Sequence, residues 1–333
     1  MALGKVLKVK LVAFISVAIL AITIANMLVG YLFLPGGLKE RKVVIIKPQL
    51  SIHKMSVLLE QEGVIRHRLV FEAFSKIYSL RRSLNSGEYE FTTGITPYQV
   101  MLKLATGTSI VRRLFIPEGQ TVSYVINKLN SEDRLFGPIA SNIPEGYLMP
   151  STYFYSYGDK REKILNEMRN GMSQALDKVM SKLADDSPLK TRKDVLILAS
   201  IVEKEAGNDQ ERPMIAAVFI NRLKKGMSLQ ADPTVIYAIT EGKYKLDRAL
   251  TRKDLQIDSN YNTYKIKGLP PGPIACPGLA SLEAVVSPAK TNALYFVADG
   301  NGSHNFAATL AEHNINVLKF KQHQLQQVSS KNP

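Results

Sequence analysis

The residues that could do chemistry gather in the segment DVLILASIVEKEAG, residues 194 to 207, where Glu203 and Glu205 stand two apart in an otherwise apolar run. Taking an ionised carboxylate out of water is costly, so a helix bound for a core should avoid one unless a carboxyl is wanted there. On a wheel of roughly 100° per residue, Val195, Leu198, Val202 and Ala206 fall within about 80° of one another, with Ile201 beside them. Glu205 lies between Ile201 and Leu198, whereas Glu203 lies at the edge of that face, closer to Ser200 and Lys204. Glu205 is thus the carboxyl in the apolar wall. Desolvation there should favour its neutral form and raise its pKa, as a general acid requires. The competing reading ends the helix here, with both glutamates in water, Lys204 as their partner and Gly207 fraying the end.

A single buried acid suits glycosidic bond cleavage, where protonating the leaving oxygen needs a carboxylic acid. Hydrolysis usually asks for a second carboxylate, and none stands in comparable surroundings, although folding could bring Asp232 near. If a hydroxyl of the sugar itself attacks, the nucleophile is already in place at high effective concentration. One glutamate can then give a proton to the leaving group and take one from the attacking hydroxyl. Other chemistries fare worse. The lone Cys276 rules out an intrachain disulfide framework and a Cys-rich zinc site. A nucleophilic pair of Cys276 with His304 is disfavoured, because Cys276 lies among prolines and alanine in a loop rather than at a helix N-terminus or beside a cation. There is no HExxH, no glycine-rich phosphate loop and no zinc-finger pattern.

The chain around these residues is basic, with a formal charge of +14 over 333 residues. Lys5, Lys8, Lys10, Lys39, Arg41 and Lys42 against Glu40 account for part of it, so the remainder is basic too. Such a surface suits a polyanion: nucleic acid, anionic lipid or an acidic cell-wall polymer. Residues 11 to 34, LVAFISVAILAITIANMLVGYLFL, hold no charge and are long enough for the roughly 30 Å hydrocarbon core. A cleaved signal peptide would have a shorter apolar stretch and a small-x-small site, which GYLFLPGGLKE lacks. A retained transmembrane helix follows, with residues 1 to 10 on its cytoplasmic side only weakly favoured by the nearly tied flanking charges. A membrane anchor and a cysteine-poor body weigh against a nucleic-acid enzyme.

The elements that must position the glutamates can be placed by periodicity. LPGGLKERK reads as a short juxtamembrane linker. KVVIIK, SIHKMSVLLEQEG, RLVFEAFSKIYSL and SGEYEFTTG read as strand, helix, helix and strand. A helix follows with Thr96 as N-cap, Pro97 at its first position and Gly107 past its end. SIVRRLFIPEG is a strand and TVSYVINKLN a helix. The stretch EGYLMPSTYFYSYG is looser, and residues 159 to 183 are helical and charged. Residues 194 to 230 form a helical hairpin in which Ile215, Phe219 and Leu223 share a face and Gly226 ends the second arm. ADPTVIYAI offers Asp232 as N-cap and Pro233 at the first helical position. The tail is a strand, ALYFVAD, a glycine-rich turn and a helix opening with Thr309 and Glu312 in capping-box spacing.

Four ordered blocks, LASIVEKEA, ERPMIAAVFINRLKKGMSLQADPTVIYAI, YNTYKIKGLPPGPIACPG and SPAKTNALYFVADGNGSHNF, resemble the signature blocks of the MltG (YceG-like) endolytic murein transglycosylases. The similarity runs from about Lys42 to the C-terminal helix. It implies an α+β protein with a single N-terminal transmembrane helix (11–34), a LysM-like subdomain with connecting strands (40–118) and a mixed α/β catalytic domain (119–333). It also implies a body on the periplasmic side of the bacterial inner membrane. The activity implied is cutting within nascent peptidoglycan strands to leave 1,6-anhydro-N-acetylmuramic acid ends, setting strand length beside peptidoglycan synthases, with no metal or organic cofactor.

Carried onto this chain, the acid and base is the second glutamate of EKE, Glu205, the residue the wheel selects. Gln230, Asp232 and Thr234 in LQADPT, Tyr261, Asn262 and Tyr264 in YNTY, together with Glu203 and His304, are implied as substrate-binding groups. Amides and phenols suit sugar hydroxyls and N-acetyl groups. Against that, Asp232 could serve only as a helix cap, and Glu203 could be structural or tune Glu205. The chain departs from the family pattern at Ser151, where aspartate is common, and at Cys276, where small polar residues are; Glu145 and Tyr153 stay in place. The rival from another class is a non-catalytic, membrane-tethered glycan-binding scaffold for wall synthesis.

Overall fold

The computed structural model describes residues 2–81, 83–139 and 142–331. The chain divides into two compact units: residues 1–112 with 134–136 and 154–159, and residues 113–133, 137–153 and 160–333. The first unit therefore ends a few residues before the boundary at 118 expected from the sequence, and takes in two later segments.

The first unit opens with helix α1 (Ala2–Tyr31), apolar enough to cross a membrane over Leu7–Tyr31. It stops short of Leu34, the expected end, because Leu32 is already buried and the Tyr31 hydroxyl accepts hydrogen bonds from the Arg66 and His67 amides (3.2 and 2.9 Å). Nor is the stretch that follows a loose linker at its start. The Gly36 amide donates to Ile95 O (2.8 Å), and a Cβ at Gly36 would stand 2.2 Å from Val64 O, so only glycine fits this approach.

Strand β1 (Lys42–Ile46), helices α2 (Ile52–Gln61) and α3 (Arg68–Ser79), strand β2 (Gly87–Phe91) and helix α4 (Pro97–Thr106) follow. β1 and β2 pair antiparallel, Lys42 opposite Phe91 and Ile46 opposite Gly87. Ser51 caps α2, and Thr96 with Gln99 forms a capping box on α4, whereas His67, just before α3, gives no side-chain cap. The apolar faces close over Ile46, Leu59, Phe71, Tyr89, Phe91 and Leu104.

The remaining elements are β3 (Val111–Phe115), α5 (Val122–Asn130), β4 (Thr152–Ser156), α6 (Arg161–Met180), α7 (Arg192–Glu205), α8 (Arg212–Lys224), α9 (Asp232–Thr240), α10 (Leu279–Val286), β5 (Tyr295–Ala298), β6 (His304–Ala307) and α11 (Leu310–Lys331). β3 pairs with β4, and β5 with β6 in an antiparallel hairpin. Three of these were not read from the sequence: β4 in the tyrosine-rich stretch, β6 beyond the glycine turn, and the eight-residue α10. The second unit is built around α7. Its start is fixed by a capping box of Thr191 and Asp194, and every residue from Val195 to Val202 is buried. α6, α8, α9 and α10 surround it. Glu203, which the wheel puts at the edge of the apolar face beside Lys204, is enclosed too, its side chain only 5% exposed, while Lys204 is exposed.

Candidate active site

Glu205 is the last residue of α7, and the chain turns extended at Ala206. Its carboxyl is half-buried and, among the described residues, meets no hydrogen-bond donor or ion-pair partner. Burial raises its pKa to about 7; the negative charge of Asp232 adds to the shift, and the Arg222 guanidinium opposes it. An acid that titrates near neutrality, with no fixed donor on its oxygens, can both give and take a proton.

Three other side chains make up the surroundings. Asp232 is the first residue of α9, one place later than the cap position expected; Ala231 occupies the cap. Its Oδ1 accepts the Tyr264 hydroxyl at 2.6 Å. Burial and that bond push the Tyr264 phenol well above its ordinary value, so Tyr264 stays a donor. Arg222 projects from α8 into the interior, where Nε donates to Leu294 O (2.7 Å) and Nη1 to Leu229 O (2.6 Å). Its guanidinium also lies 5.4 Å from the centre of the Tyr295 ring, which stacks on His313. A cation so held is a fixed positive charge in a dry setting, and it lies within electrostatic reach of both Glu205 and Tyr264.

The other sequence-derived candidates divide into groups that build the site and groups that lie apart from it. Asn262 is fully buried: Nδ2 donates to Leu255 O and Ile257 O, and Oδ1 accepts the Tyr264 amide at 3.0 Å, which sets the course of the YNTY turn. Thr234 is buried as well, its hydroxyl shared with Ala231 O (2.7 Å) and the Thr263 hydroxyl (2.8 Å). These two have no group free for a sugar; they position Asp232 and Tyr264. Gln230 is exposed beside them, at φ 50°, with its amide donating to Thr263 O. Tyr261 packs on Tyr237 with ring centres 4.8 Å apart.

Glu203 points elsewhere. Its Oε1 takes Arg212 Nη2 at 3.0 Å, and its Oε2 takes the Gly278 amide (2.9 Å) and the Ser281 hydroxyl (2.8 Å). The approach at Gly278 is so close that a Cβ there would collide with the Glu118 carboxylate. Glu203 thus ties α7 to α8 and α10 with both oxygens occupied. His304 is also engaged within the fold: its amide and Nδ1 meet the two oxygens of Glu211 at 2.7 and 2.8 Å. Cys276 is completely buried, and burial with the neighbouring Glu145 pushes its thiol up to about 12, far from a nucleophilic thiolate.

Two residues escaped the sequence reading. Arg222 carries a signal that could have been used, an arginine within the apolar run IAAVFINRL of α8. Glu145 was noted only as part of a motif. Its Oε1 accepts the Val122 and Gly146 amides, capping α5 from a distance, and burial raises its pKa.

Comparison with known proteins gives a consistent result. The YceG-like family matches residues 44–319. An endolytic murein transglycosylase of Bacillus subtilis (strain 168) is 34% identical, spanning 85% of this chain and 83% of that protein. A protein of the same name from Streptococcus pneumoniae (serotype 2 strain D39) is 28% identical over 84% of this chain, and the chain spans 58% of that relative's length. The crystal structure of a YceG-like protein from Listeria monocytogenes matches at 33% identity and TM-score 0.51, covering 84% of this chain and 99% of that one.

Proposed function

Because this chain belongs to the YceG-like family and has relatives named endolytic murein transglycosylases, we propose that it is a lytic transglycosylase that cuts within peptidoglycan strands, with Glu205 as its acid and base. The observation that carries this reading is one half-buried carboxyl with a pKa near 7 and, among the described residues, no partner on its oxygens. Glu205 protonates the glycosidic oxygen between N-acetylmuramic acid and N-acetylglucosamine as the C1–O bond breaks. The muramic 6-hydroxyl then attacks C1 and gives its proton to the Glu205 carboxylate. The new C1–O6 bond leaves a 1,6-anhydro end, no water is consumed, and the enzyme regains its starting protonation state.

The neighbours fit these steps. Asp232, held by the Tyr264 hydroxyl, supplies negative charge beside the positive oxocarbenium-like transition state. Arg222 stabilises the Glu205 carboxylate in the interval after its proton has left. The apolar α1 supports a membrane anchor with the body in the periplasm. The strand, helix, helix, strand order of Lys42–Phe91 supports the LysM-like reading of the first unit. Association with peptidoglycan synthases and control of strand length follow from the same reading.

One observation favours a second reading. Asp232 stands near enough to Glu205 to shift its titration, so the pair could serve a hydrolase. Full-length chain in detergent, wild type and Glu205→Gln, incubated with uncrosslinked glycan strands separates the two by product mass. Internal cuts whose ends are one water lighter than hydrolysis products, absent with the variant, are expected. Hydrated reducing ends would mean a hydrolase. Glycan binding without cleavage by the wild type would leave a scaffold.

A further inference from the structure

In peptidoglycan the muramic ring whose anomeric carbon reacts also bears the peptide, through a lactyl ether on the same ring. An enzyme acting at that carbon must therefore find room for a carboxylate-bearing peptide beside its acid. The second unit has a cleft of about 700 Å³, within the size range of ligand sites, lined by the sequence neighbours of Glu205 and Asp232. α7 contributes Lys204, next to Glu205, and α9 contributes Pro233, next to Asp232, so the cleft and the acid share the same two helix ends. The segment 242–246 forms much of its rim, tied to the first turn of α5 by the Thr121 hydroxyl donating to Gly242 O at 2.7 Å.

The lining has a consistent chemistry. Its charged side chains are Lys204, Lys243 and Lys245, and no acid lines it. Lys243 is partly offset by its ion pair with Glu241 (2.5 Å), while the Lys204 ammonium donates to Gly119 O (3.3 Å) and Lys245 has no partner among the described residues. Tyr124, Ile236 and Tyr244, all exposed, line the same space, giving apolar faces to a chain lying across them. Basic groups above apolar and phenolic walls suit a short peptide with free carboxylates better than a neutral sugar ring.

We propose that this cleft is the subsite for the anionic peptide arm of the muramic acid, and that the enzyme therefore prefers peptide-bearing strands to bare glycan. This rests on the transglycosylase reading. The test uses full-length chain in neutral detergent and two soluble probes, N-acetylglucosaminyl-N-acetylmuramic acid with and without its peptide. Neither probe contains the bond to be cut, so binding is read by calorimetry independently of turnover. The native chain should bind the peptide-bearing probe more tightly, and the advantage should shrink as salt is raised. In the Lys243→Gln/Lys245→Gln double variant, affinity for that probe should fall roughly five-fold, the effect of two partly exposed charges, so that the ratio between the probes moves toward one. A misfolded variant would lose both probes alike. No preference in the native chain, an equal loss on both probes by a variant that melts as the native chain does, or no loss on either would overturn the assignment while the transglycosylase reading stands. Binding of neither probe, together with uncut glycan strands in the cleavage assay, would count against both.

Discussion

If burial holds the Glu205 carboxyl neutral, the folded chain bears a cost whenever that group must ionise, and Glu205→Gln should remove it. The pKa of about 7 in the fold compares with 4.5 for an unperturbed glutamate. The folded state therefore binds the proton more tightly than the unfolded chain does. The cost is absent below pH 4.5, where both states are protonated, grows as pH rises through the window from 4.5 to 7, and is constant above it. Linkage gives about 1 kcal/mol at pH 5 and about 3 kcal/mol at pH 8. Because Glu205 makes no hydrogen bond among the described residues, glutamine of the same shape forfeits none, and the difference between the two proteins should be this term almost alone. Thermal unfolding of wild type and Glu205→Gln in one detergent, from pH 5 to pH 8, measures it. The variant's advantage should widen with pH to several degrees, at roughly 2–4 °C per kcal/mol for a domain of this size. An advantage that stays flat with pH, or a variant less stable than wild type at pH 8, would refute the reasoning, because either would place the Glu205 charge in water.

Further outcomes follow from the same geometry. Asp232→Asn removes a negative neighbour of Glu205 while keeping an oxygen for Tyr264, so the Glu205 limb of the pH–rate profile should move to lower pH. Tyr264→Phe should leave the melting temperature near that of wild type and lower kcat/KM roughly ten-fold, the loss of one hydrogen bond at a charged group. Glu203→Gln removes one of three carboxylates around Arg212, leaving Asp209 and Glu118, and weakens the bonds to Gly278 and Ser281; it should destabilise the chain by about 1–3 kcal/mol, read as a fall in melting temperature with the pH–rate profile of the folded fraction unmoved. Cys276→Ala should retain cleavage within a few-fold, since its thiol is buried and protonated.

Local signals made much of the frame legible. Thr96, read as a cap, does cap α4, and Thr309 with Glu312 bonds in the capping-box pattern at the start of α11, because capping chemistry acts within three or four residues, the range over which a sequence can be read directly. The two glutamates were only half legible. A wheel assumes one wet side, and α7 has none from Val195 to Val202, so it set Glu205 in the apolar wall but could not show that Glu203 is enclosed as well. What distinguishes the two is Arg212, which reaches Glu203 from the next helix, and the absence of any such partner at Glu205 among the described residues. The same limit explains Thr234 and Asn262: their polar groups were evident, but their partners Thr263, Leu255 and Ile257 come from other parts of the chain or from its backbone. β4 and α10 are short, lie near prolines, and are defined by neighbours rather than by their own periodicity.

The junction at Tyr31 has a consequence for reach. An enzyme tethered by a floppy stalk explores a hemisphere set by the stalk's length, and can meet polymer at many heights. Here the apolar helix passes straight into packed protein: Leu32 is buried, and the phenol of Tyr31 is held by the Arg66 and His67 amides just ahead of α3. With α1 as its anchor, the first unit has almost no slack above the lipid. It rides at a constant altitude, tilting only as its helix tilts. Whatever the first unit meets must then lie within its own height of the lipid, because nothing between the helix and the packed fold can extend.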